Sequence, residues 1–402
     1  MDNISVKAHT SFIGQTGYNA HARDFFTALS KIVKLRIRNF TVGKTWNGLG
    51  EKIDGKFDPH KNEEYLSEYQ RNLIGIQTLY CDPNAVGRYG SNLIDYEVYD
   101  GYNIFDDNDK IIDIILNTTN HQYFFNLDKY NGFKIAYNVW ESTRYNDDFF
   151  DILKKYDQFW CPSKWQRDCI VEQGYPEDKV FIVPEAIDEK IFHPAYFNPN
   201  IDNYTDNRFK FILFGRWEFR KSTTEIIQTF LKTFDANDPV DLIISVDNTF
   251  SDDNLKSTEE RLSYYNLNDN RIKVIHFPKR EDYINYLKNG HVYLSCSRSE
   301  GWGLPLCEAM ACGTPSIYSN CSGQLEFAEG KGHPVKIEKE IPFDAGNYYE
   351  PDFNDLSLVM KDVYINYWKY KEKALKDSDD IRNKFTWENA ANKAYEILRD
   401  IK

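Results

Sequence analysis

Short apolar runs alternate with helix-like segments in two separate stretches of this 402-residue chain. Each run is as long as a strand that is buried on both faces, and helical spacing of apolar residues follows it. Alternation of this kind is typical of βαβ units, which form parallel sheets covered by helices. The sequence therefore predicts an α/β protein made of two similar halves.

A polar stretch separates the two halves and predicts the domain boundary. Residues 187–207 contain Pro194, Pro199 and a run of Asn, Asp and Thr, a composition typical of linkers. We therefore expect one domain over 1–190 and a second over 206–380, with hinges near 188–207 and 378–385. In the first half we predict strands at 4–9, 35–42, 111–116, 133–139 and 180–183, and helices at 18–31 and 164–173. In the second half we predict strands at 209–214, 242–246, 272–277, 292–295 and 315–318, and helices at 221–234 and 305–312.

Composition excludes several classes of protein. The chain carries 49 Lys and Arg against 62 Asp and Glu, a net charge of −13, which disfavours nucleic acid or anionic lipid as a partner. No apolar run approaches the roughly 18 residues that span a bilayer. Seven cysteines without a Cys-x-x-Cys pair, and an N-terminus without signal-peptide features, favour a cytoplasmic location.

The segment 295–313, S-C-S-R-S-E-G-W-G-L-P-L-C-E-A-M-A-C-G, carries the clearest site signal. Glu300 follows a predicted strand, and Gly301 and Gly303 permit close approach of a ligand to the backbone. The following helix would offer unpaired N–H groups to an anion at its first turn, where we also place Glu308. Carboxylates beside an anion site accept hydroxyl donors, so the ligand is expected to carry both phosphates and sugar hydroxyls. The alternatives are helix-dipole complementation for Glu308 and a solvated loop position for Glu300.

Arg216 and Lys221 follow the first strand of the second half, within Phe214-Gly215-Arg216-Trp217-Glu218-Phe219-Arg220-Lys221. Two cations at the carboxyl end of a parallel strand can clamp a diphosphate and stabilise it as a leaving group. Cations near a helix N-terminus oppose the helix dipole, which makes a purely structural role less favourable.

With these motifs the sequence resembles the family 4 glycosyltransferases, which are retaining, nucleotide-sugar-dependent enzymes of the GT-B fold. Glu300 and Glu308 match the family's Glu-x7-Glu motif, and Arg216 and Lys221 match its Gly-Arg followed by Lys. The resemblance implies two Rossmann-like domains facing across a cleft, with a C-terminal helix (385–402) crossing back to the first. It also implies transfer of a hexose, glucose-like and most often from a UDP-sugar, to a hydroxyl acceptor, without metal or other cofactor.

The resemblance also implies a role for each matching residue. Glu308 would hold the ribose, Glu300 the donor sugar, and Arg216 and Lys221 the diphosphate. The remaining donor-binding positions are the backbone of Gly301, Trp302, Gly303 and Leu304, the first strand-to-helix loop with Gly14 and Gly17, and Phe277 beside the base.

Two positions depart from the family pattern. Ser222 replaces the usual Gly after Lys221, and Glu141 stands at roughly the place where many members carry a His near the reacting centre. Glu141 could act as the acceptor base, bind a sugar hydroxyl, or pair with Arg144.

Competing interpretations fit less well. Leu306 stands where a dinucleotide fingerprint needs its third Gly, and no P-loop motif occurs. Asp107-Asn108-Asp109 has the form of a metal-binding Asp-x-Asp but reads as a solvated turn. The alternatives left open are an inactive nucleotide-sugar-binding module and a GT-B epimerase or phosphorylase-type enzyme. The acceptor is not specified; a glycan, a protein or a metabolite is favoured.

Overall fold

The computed structural model describes residues 4–10, 12, 17–41, 52–53, 56–57, 70, 76–81, 93–94, 110–116, 132–195, 208–248, 255, 257–277 and 280–401. Its internal contacts divide the chain into two compact units. The first unit comprises Met1–Val139, Tyr145–Ala186 and Trp387–Lys402, and the second comprises Trp140–Arg144 and Ile187–Thr386. Glu141 therefore belongs to the second unit, as part of the short segment Trp140–Arg144, while the chain on both sides of that segment belongs to the first.

The first unit is built on a largely parallel sheet. Its strands are β1 (Ser5–Thr10), β2 (Lys34–Thr41), β3 (Lys52–Ile53), β4 (Lys56–Phe57), β5 (Ile76–Cys81), β6 (Leu93–Ile94), β7 (Ile111–Leu116), β8 (Phe133–Tyr137), β9 (Gln158–Cys161) and β10 (Val180–Ile182). Its first helices are α1 (Gly17–Leu29), α2 (Asp147–Leu153) and α3 (Lys164–Glu172). The main sheet has the order β10-β9-β8-β7-β1-β2-β5-β6, and β3 pairs with β4.

Apolar runs explain the centre of this sheet. Val6 of β1 is paired with Leu35 on one side and Ile112 on the other, and all three side chains are buried. The run Ile111–Leu116 forms a strand at the residues predicted for it. Ser163 caps α3 by accepting a hydrogen bond from the backbone N–H of Gln166 at 3.3 Å, so this helix begins where its sequence indicates.

The second unit contains a parallel sheet in the order β13-β12-β11-β14-β15-β16. Its strands are β11 (Phe209–Phe214), β12 (Val240–Ser245), β13 (Ile272–Val274), β14 (Val292–Ser295), β15 (Ser316–Ser319), β16 (His333–Val335), β17 (Ile337–Phe343) and β18 (Gly346–Pro351). Its helices are α4 (Thr223–Thr233), α5 (Thr258–Tyr264), α6 (Arg280–Asn289), α7 (Leu304–Ala311), α8 (Leu325–Ala328), α9 (Phe353–Ile365) and α10 (Tyr367–Lys384). Apolar clusters cover the sheet and bury Phe211, Ile226, Leu306 and Met310.

The topology of the second unit brings two loops together. Because β11 and β14 are parallel neighbours, their carboxyl ends at Phe214 and Ser295 lie on the same edge of the sheet. The loop after β11 carries Arg216 to Lys221, and the loop after β14 carries Glu300 to Gly303. Carboxyl ends of parallel strands are the usual ligand-binding edge of open α/β sheets.

Two elements add to the βα pattern. Residues 337–351, which the βα alternation does not account for, form the antiparallel hairpin β17–β18 of the second unit. The last helix, α11 (Trp387–Arg399), belongs to the first unit, where Trp387 stacks on His21 of α1 with ring centroids 5.4 Å apart. Across the part of the chain that the structure describes, no helix combines the length and apolar character needed to cross a membrane.

Candidate active site

A pocket lies at the carboxyl edge of β11 and β14 in the second unit and holds about 360 Å³ of empty space, part of which is open to solvent. Its walls combine apolar side chains from the strands with polar groups from the two loops. The lining residues are Leu213, Phe214, Gly215, Arg216, Lys221, Thr223, Val246, Tyr293, Leu294, Ser295, Ser297, Glu300, Gly303, Pro305 and Leu306. Three of the predicted catalytic residues, Arg216, Lys221 and Glu300, therefore share one pocket.

Glu300 is a buried carboxylate held between two cations. Its residue is only 3% exposed, with Oε1 2.5 Å from Nζ of Lys221 and Oε2 3.0 Å from Nη1 of Arg220. Burial alone would raise the pKa of Glu300, but the charges of Lys221 and Arg220 outweigh it and lower the pKa to about 2. Glu300 is consequently ionised throughout the physiological range and can accept hydrogen bonds from a ligand's hydroxyls.

Arg220, which no sequence motif singled out, connects the acidic residues of the site. Its buried guanidinium contacts Glu141, Glu218 and Glu300 at 3.0, 2.7 and 3.0 Å, and donates to the carbonyl of Ser299 at 2.8 Å. Burial would lower the pKa of Arg220, but the three carboxylates raise it well above its ordinary value. The one feature of the sequence that pointed to Arg220 was its position next to Lys221 and two residues after Glu218.

Arg216 has a different environment from Lys221. Its side chain is 42% exposed, and its Nη2 lies 3.7 Å from Oε1 of Glu218. Lys221 is 21% exposed and contacts Glu300 directly. Both cations line the pocket, so both can reach an anion bound there, but only Lys221 also neutralises the buried carboxylate.

Glu141 joins this cluster through Arg220. Its Oε2 lies 3.0 Å from Nε of Arg220, and the neighbouring Thr143 accepts a hydrogen bond through Oγ1 from the backbone N–H of Asn347 at 2.8 Å. Burial raises the pKa of Glu141, while the positive charge of Arg220 opposes that shift. Glu141 thus forms an ion pair, but with Arg220; among the described residues, the predicted pair with Arg144 is not formed.

The glycine-rich loop before α7 uses the conformational freedom of glycine at Gly303. Gly303 has φ of 99° and immediately precedes the helix, which begins at Leu304. A Cβ on Gly323 would lie 1.9 Å from the carbonyl oxygen of Gly301, so these two loops pass in direct backbone contact. Trp302 is fully buried and packs against Phe327 and Phe385, which leaves only its backbone for ligand binding.

Glu308 lies beyond the first turn of α7, so its predicted first-turn position is wrong. The helix begins at Leu304, which places Glu308 one turn further along, where helix-dipole complementation is weak. The hydroxyl of Tyr283 donates a hydrogen bond to Oε2 of Glu308. Phe277 packs edge-on against Phe214 at 4.9 Å between ring centroids and against Tyr283 at 5.5 Å, which places it in the same aromatic group.

The remaining predicted positions are less informative. Gly17 is the first residue of α1 in the first unit, and Gly14 lies outside the described residues. Asp107-Asn108-Asp109 also lies outside them. In the residues that the structure does describe, no group of three or more His, Cys, Asp or Glu side chains is arranged to hold a metal ion.

Comparison with known proteins matches the second unit to one family. Residues 198–333 match the family model described as Glycosyl transferases group 1. A curated relative, named probable sucrose-phosphate synthase, from Thermosipho melanesiensis is 27% identical over 237 residues, which are 56% of this chain and 48% of the relative. The match thus spans about half the length of that relative.

Solved structures share the whole fold at low identity. The sucrose-phosphate synthase of Thermosynechococcus elongatus is 15% identical, with a TM-score of 0.66 and 99% of both chains covered. Anabaena HepE in complex with UDP and glucose is 12% identical, with a TM-score of 0.69, covering 99% of this chain and 100% of the other. The chain has the α/β, two-domain GT-B fold.

Proposed function

We propose that this chain, whose residues 198–333 match the family model of the group 1 glycosyltransferases, transfers a hexose from a UDP-sugar to a hydroxyl acceptor with retention of anomeric configuration. The observation that carries the proposal is the buried Glu300 carboxylate, paired with Lys221 and Arg220 in a pocket at the carboxyl edge of the sheet. Such a site offers an acceptor for sugar hydroxyls next to cations for phosphate.

The proposed chemistry uses these charges in two ways. Glu300 accepts hydrogen bonds from the donor hexose, while Arg216 and Lys221 neutralise charge that develops on the diphosphate. The bond between the anomeric carbon and the phosphate oxygen breaks, and its electron pair leaves with the diphosphate. The acceptor oxygen bonds to the anomeric carbon on the same face, and its proton passes to the departing phosphate oxygen.

A role for Glu141 follows from its ion pair. A carboxylate 3.0 Å from Arg220 that shares this arginine with Glu300 can hold the guanidinium in place and keep Glu300 oriented. We therefore assign Glu141 to positioning in the proposed reaction, rather than to acceptance of the acceptor proton.

UDP is proposed as the carrier because the fold is shared with HepE, which was solved in complex with UDP and glucose. We also propose that transfer requires no metal ion, because Arg216 and Lys221 supply the positive charge that a metal would bring to the leaving group. Turnover that persists in excess EDTA would agree with this, and loss of turnover restored by Mg²⁺ would contradict it.

Binding of nucleotides tests the proposal first. Thermal-shift and calorimetric titrations with UDP, GDP and ADP are compared between the wild-type chain and Glu308→Ala. A ligand at about 100 times its Kd stabilises the folded state by about 2.7 kcal/mol, which is readily visible as a shift in Tm. We expect UDP to shift the wild type and the shift to be lost in Glu308→Ala.

Turnover tests the reaction itself. UDP-glucose, UDP-galactose, UDP-N-acetylglucosamine and GDP-mannose are incubated with the chain and a panel of hydroxyl acceptors, and sugar release or transfer is followed by mass spectrometry. Proton NMR of the product gives its anomeric configuration. Binding without turnover would favour a nucleotide-sugar-binding module, an inverted anomer would contradict retention, and no binding of any nucleotide would overturn the proposal.

A further inference from the structure

A hydrogen bond between side chains joins helices α6 and α7 of the second unit. The hydroxyl of Tyr283 on α6 donates to Oε2 of Glu308 on α7. This pair adjoins the pocket from two sides. Pro305, three residues before Glu308 on the same helix face, lines the pocket, and so does Phe214, whose ring centroid is 5.8 Å from that of Tyr283.

We propose that Tyr283 is a positioning residue that fixes the carboxylate of Glu308 for the ribose hydroxyls of the nucleotide and thereby sets selectivity for ribose over deoxyribose. This inference rests on the proposed function, in which Glu308 binds the ribose. It assigns the orientation of Glu308, and hence the recognition of the sugar of the nucleoside, to a residue outside the Glu-x7-Glu motif.

Packing holds Tyr283 in place. Its ring contacts Phe214 and Phe277 with centroid distances of 5.8 and 5.5 Å, so the hydroxyl is presented to Glu308 by a ring that is held between its neighbours. A carboxylate on a long side chain otherwise loses rotamer freedom when it binds a ligand, and fixing it beforehand reduces that cost.

The raised pKa of Tyr283 keeps its hydroxyl protonated and thus able to donate a hydrogen bond. Burial raises the pKa of Tyr283, and the negative charge of Glu308 raises it further. The hydroxyl of Tyr283 therefore remains protonated at neutral pH and donates its hydrogen bond to Glu308. A hydrogen bond to a charged group contributes more than one between neutral groups.

Tyr286 provides a matched control in the same aromatic group. It lies three residues further along α6, and its ring centroid is 6.2 Å from Phe214 and 5.8 Å from Phe277. Within the described residues, no side-chain hydrogen bond is made by its hydroxyl. Tyr286→Phe thus removes a hydroxyl from the same helix and the same cluster without touching Glu308.

Calorimetric titration with UDP and 2′-deoxy-UDP tests the inference, with GDP and 2′-deoxy-GDP run in parallel. We expect the wild type to prefer the ribonucleotide, and Tyr283→Phe to weaken its binding about tenfold while changing that of the deoxynucleotide little. Tyr286→Phe should keep both the affinity and the preference. A merely structural role of Tyr283 would weaken both nucleotides equally.

A double-mutant cycle with Glu308→Gln gives a second readout. If Tyr283 acts through Glu308, the loss caused by Tyr283→Phe should nearly vanish in the Glu308→Gln background. Tyr283→His, which keeps a ring and a donor, gives a replacement if Tyr283→Phe fails to fold, and we expect it to retain part of the preference.

Three results would overturn the inference. An unchanged ribose preference in Tyr283→Phe, additive losses in the cycle, or tighter UDP binding in Tyr283→Phe would each show that Tyr283 does not orient Glu308. These outcomes leave the proposed function intact, since the wild type still binds a nucleoside diphosphate. Absence of binding to the wild type would overturn both proposals.

Discussion

The Nζ of Lys221 lies 2.5 Å from Oε1 of Glu300, a carboxylate that is almost completely removed from solvent. Lys221 itself is 21% exposed and lines the pocket, so its ammonium faces both the buried acid and any ligand. Because Arg220 also contacts Glu300, the acid keeps one cation if Lys221 is replaced. The pair therefore links folding stability to ligand binding.

Lys221→Met is expected to destabilise the chain and weaken diphosphate binding together. Removing one partner of a buried ion pair leaves an uncompensated charge, and we expect a loss of about 1 to 3 kcal/mol because Arg220 remains. Loss of a charge-assisted contact should raise the Kd for UDP by about tenfold or more. Urea unfolding and calorimetric titration measure the two effects.

Lys232→Met is the control for Lys221→Met. Lys232 is exposed near the end of α4, so its replacement should measurably change neither the free energy of unfolding nor the Kd for UDP. Equal behaviour of the two variants would show that the ion pair contributes to neither stability nor binding.

Ser222→Gly is expected to stabilise the chain by about 0.5 to 1 kcal/mol. Ser222 adopts φ of 52° and ψ of 31°, a left-handed conformation that costs a residue with a Cβ about 1 to 2 kcal/mol, partly offset by the greater flexibility of an unfolded chain with Gly. Within the described residues its buried Oγ has no hydrogen-bond partner, so nothing is lost with the hydroxyl. Differential scanning calorimetry would show the change in Tm.

Asn266→Gly separates backbone strain from other effects. Asn266 has a similar φ of 55° but is exposed, and Asn tolerates this conformation better than Ser. We expect a smaller gain there. A larger increase in the free energy of unfolding for Asn266→Gly than for Ser222→Gly would show that the backbone at Ser222 is not strained. The same left-handed geometry explains why Gly is usual after the lysine in the family that the sequence resembles.

Some strands were predictable to the residue because an apolar run marks both of their ends. The predicted strands at 111–116, 209–214 and 292–295 match β7, β11 and β14 to the residue. Since parallel strands place their carboxyl ends on one edge of the sheet, the sequence also indicated that Arg216, Lys221 and Glu300 lie close together. All three residues line one pocket. By contrast, the hairpin at 337–351 shows little apolar periodicity, and side chains along β17 are exposed or only partly buried.

Arg220 and Tyr283 illustrate what local sequence does not specify. Glu218, Arg220 and Lys221 are close along the chain, and the 3₁₀ turn Phe219–Lys221 decides which of their side chains enter the interior. The hydrogen bond from Tyr283 to Glu308 joins residues 25 positions apart and depends on how α6 packs beside α7. Such contacts follow from tertiary packing, which a spacing pattern does not contain.

Gly323→Ala is expected to disrupt the loop that carries Glu300. The added Cβ would lie 1.9 Å from the carbonyl oxygen of Gly301 and 2.9 Å from that of Glu300, so backbone must move. We expect destabilisation of about 3 kcal/mol or more and a Kd for UDP raised at least tenfold. Chemical denaturation and calorimetric titration provide both values.

Gly330→Ala is the matched control for Gly323→Ala. Gly330 has φ of 74° but nothing within 4 Å of the added Cβ, so only backbone strain of about 1 kcal/mol should result. Nucleotide binding should be unchanged. If Gly323→Ala is no worse than Gly330→Ala, the backbone contact between the two loops is not required.

His333 on β16 is expected to make folding stability depend on pH. Burial lowers its pKa to about 4 from an ordinary value of 6.5; Lys373 adds to the shift, and Asp362 and Asp377 oppose it. Since the unfolded chain binds this proton more readily, the contribution to stability is complete above about pH 6.5 and is lost as pH falls through 4. Its size should be about 1 to 3 kcal/mol.

The variant His333→Gln removes this titration. Urea unfolding at pH 7, 6, 5 and 4 should show a free energy of unfolding that falls less steeply with acid than in the wild type, because no imidazole must remain neutral in the fold. If His333→Gln keeps the wild-type slope, burial of His333 contributes nothing to the acid sensitivity, and the prediction is wrong.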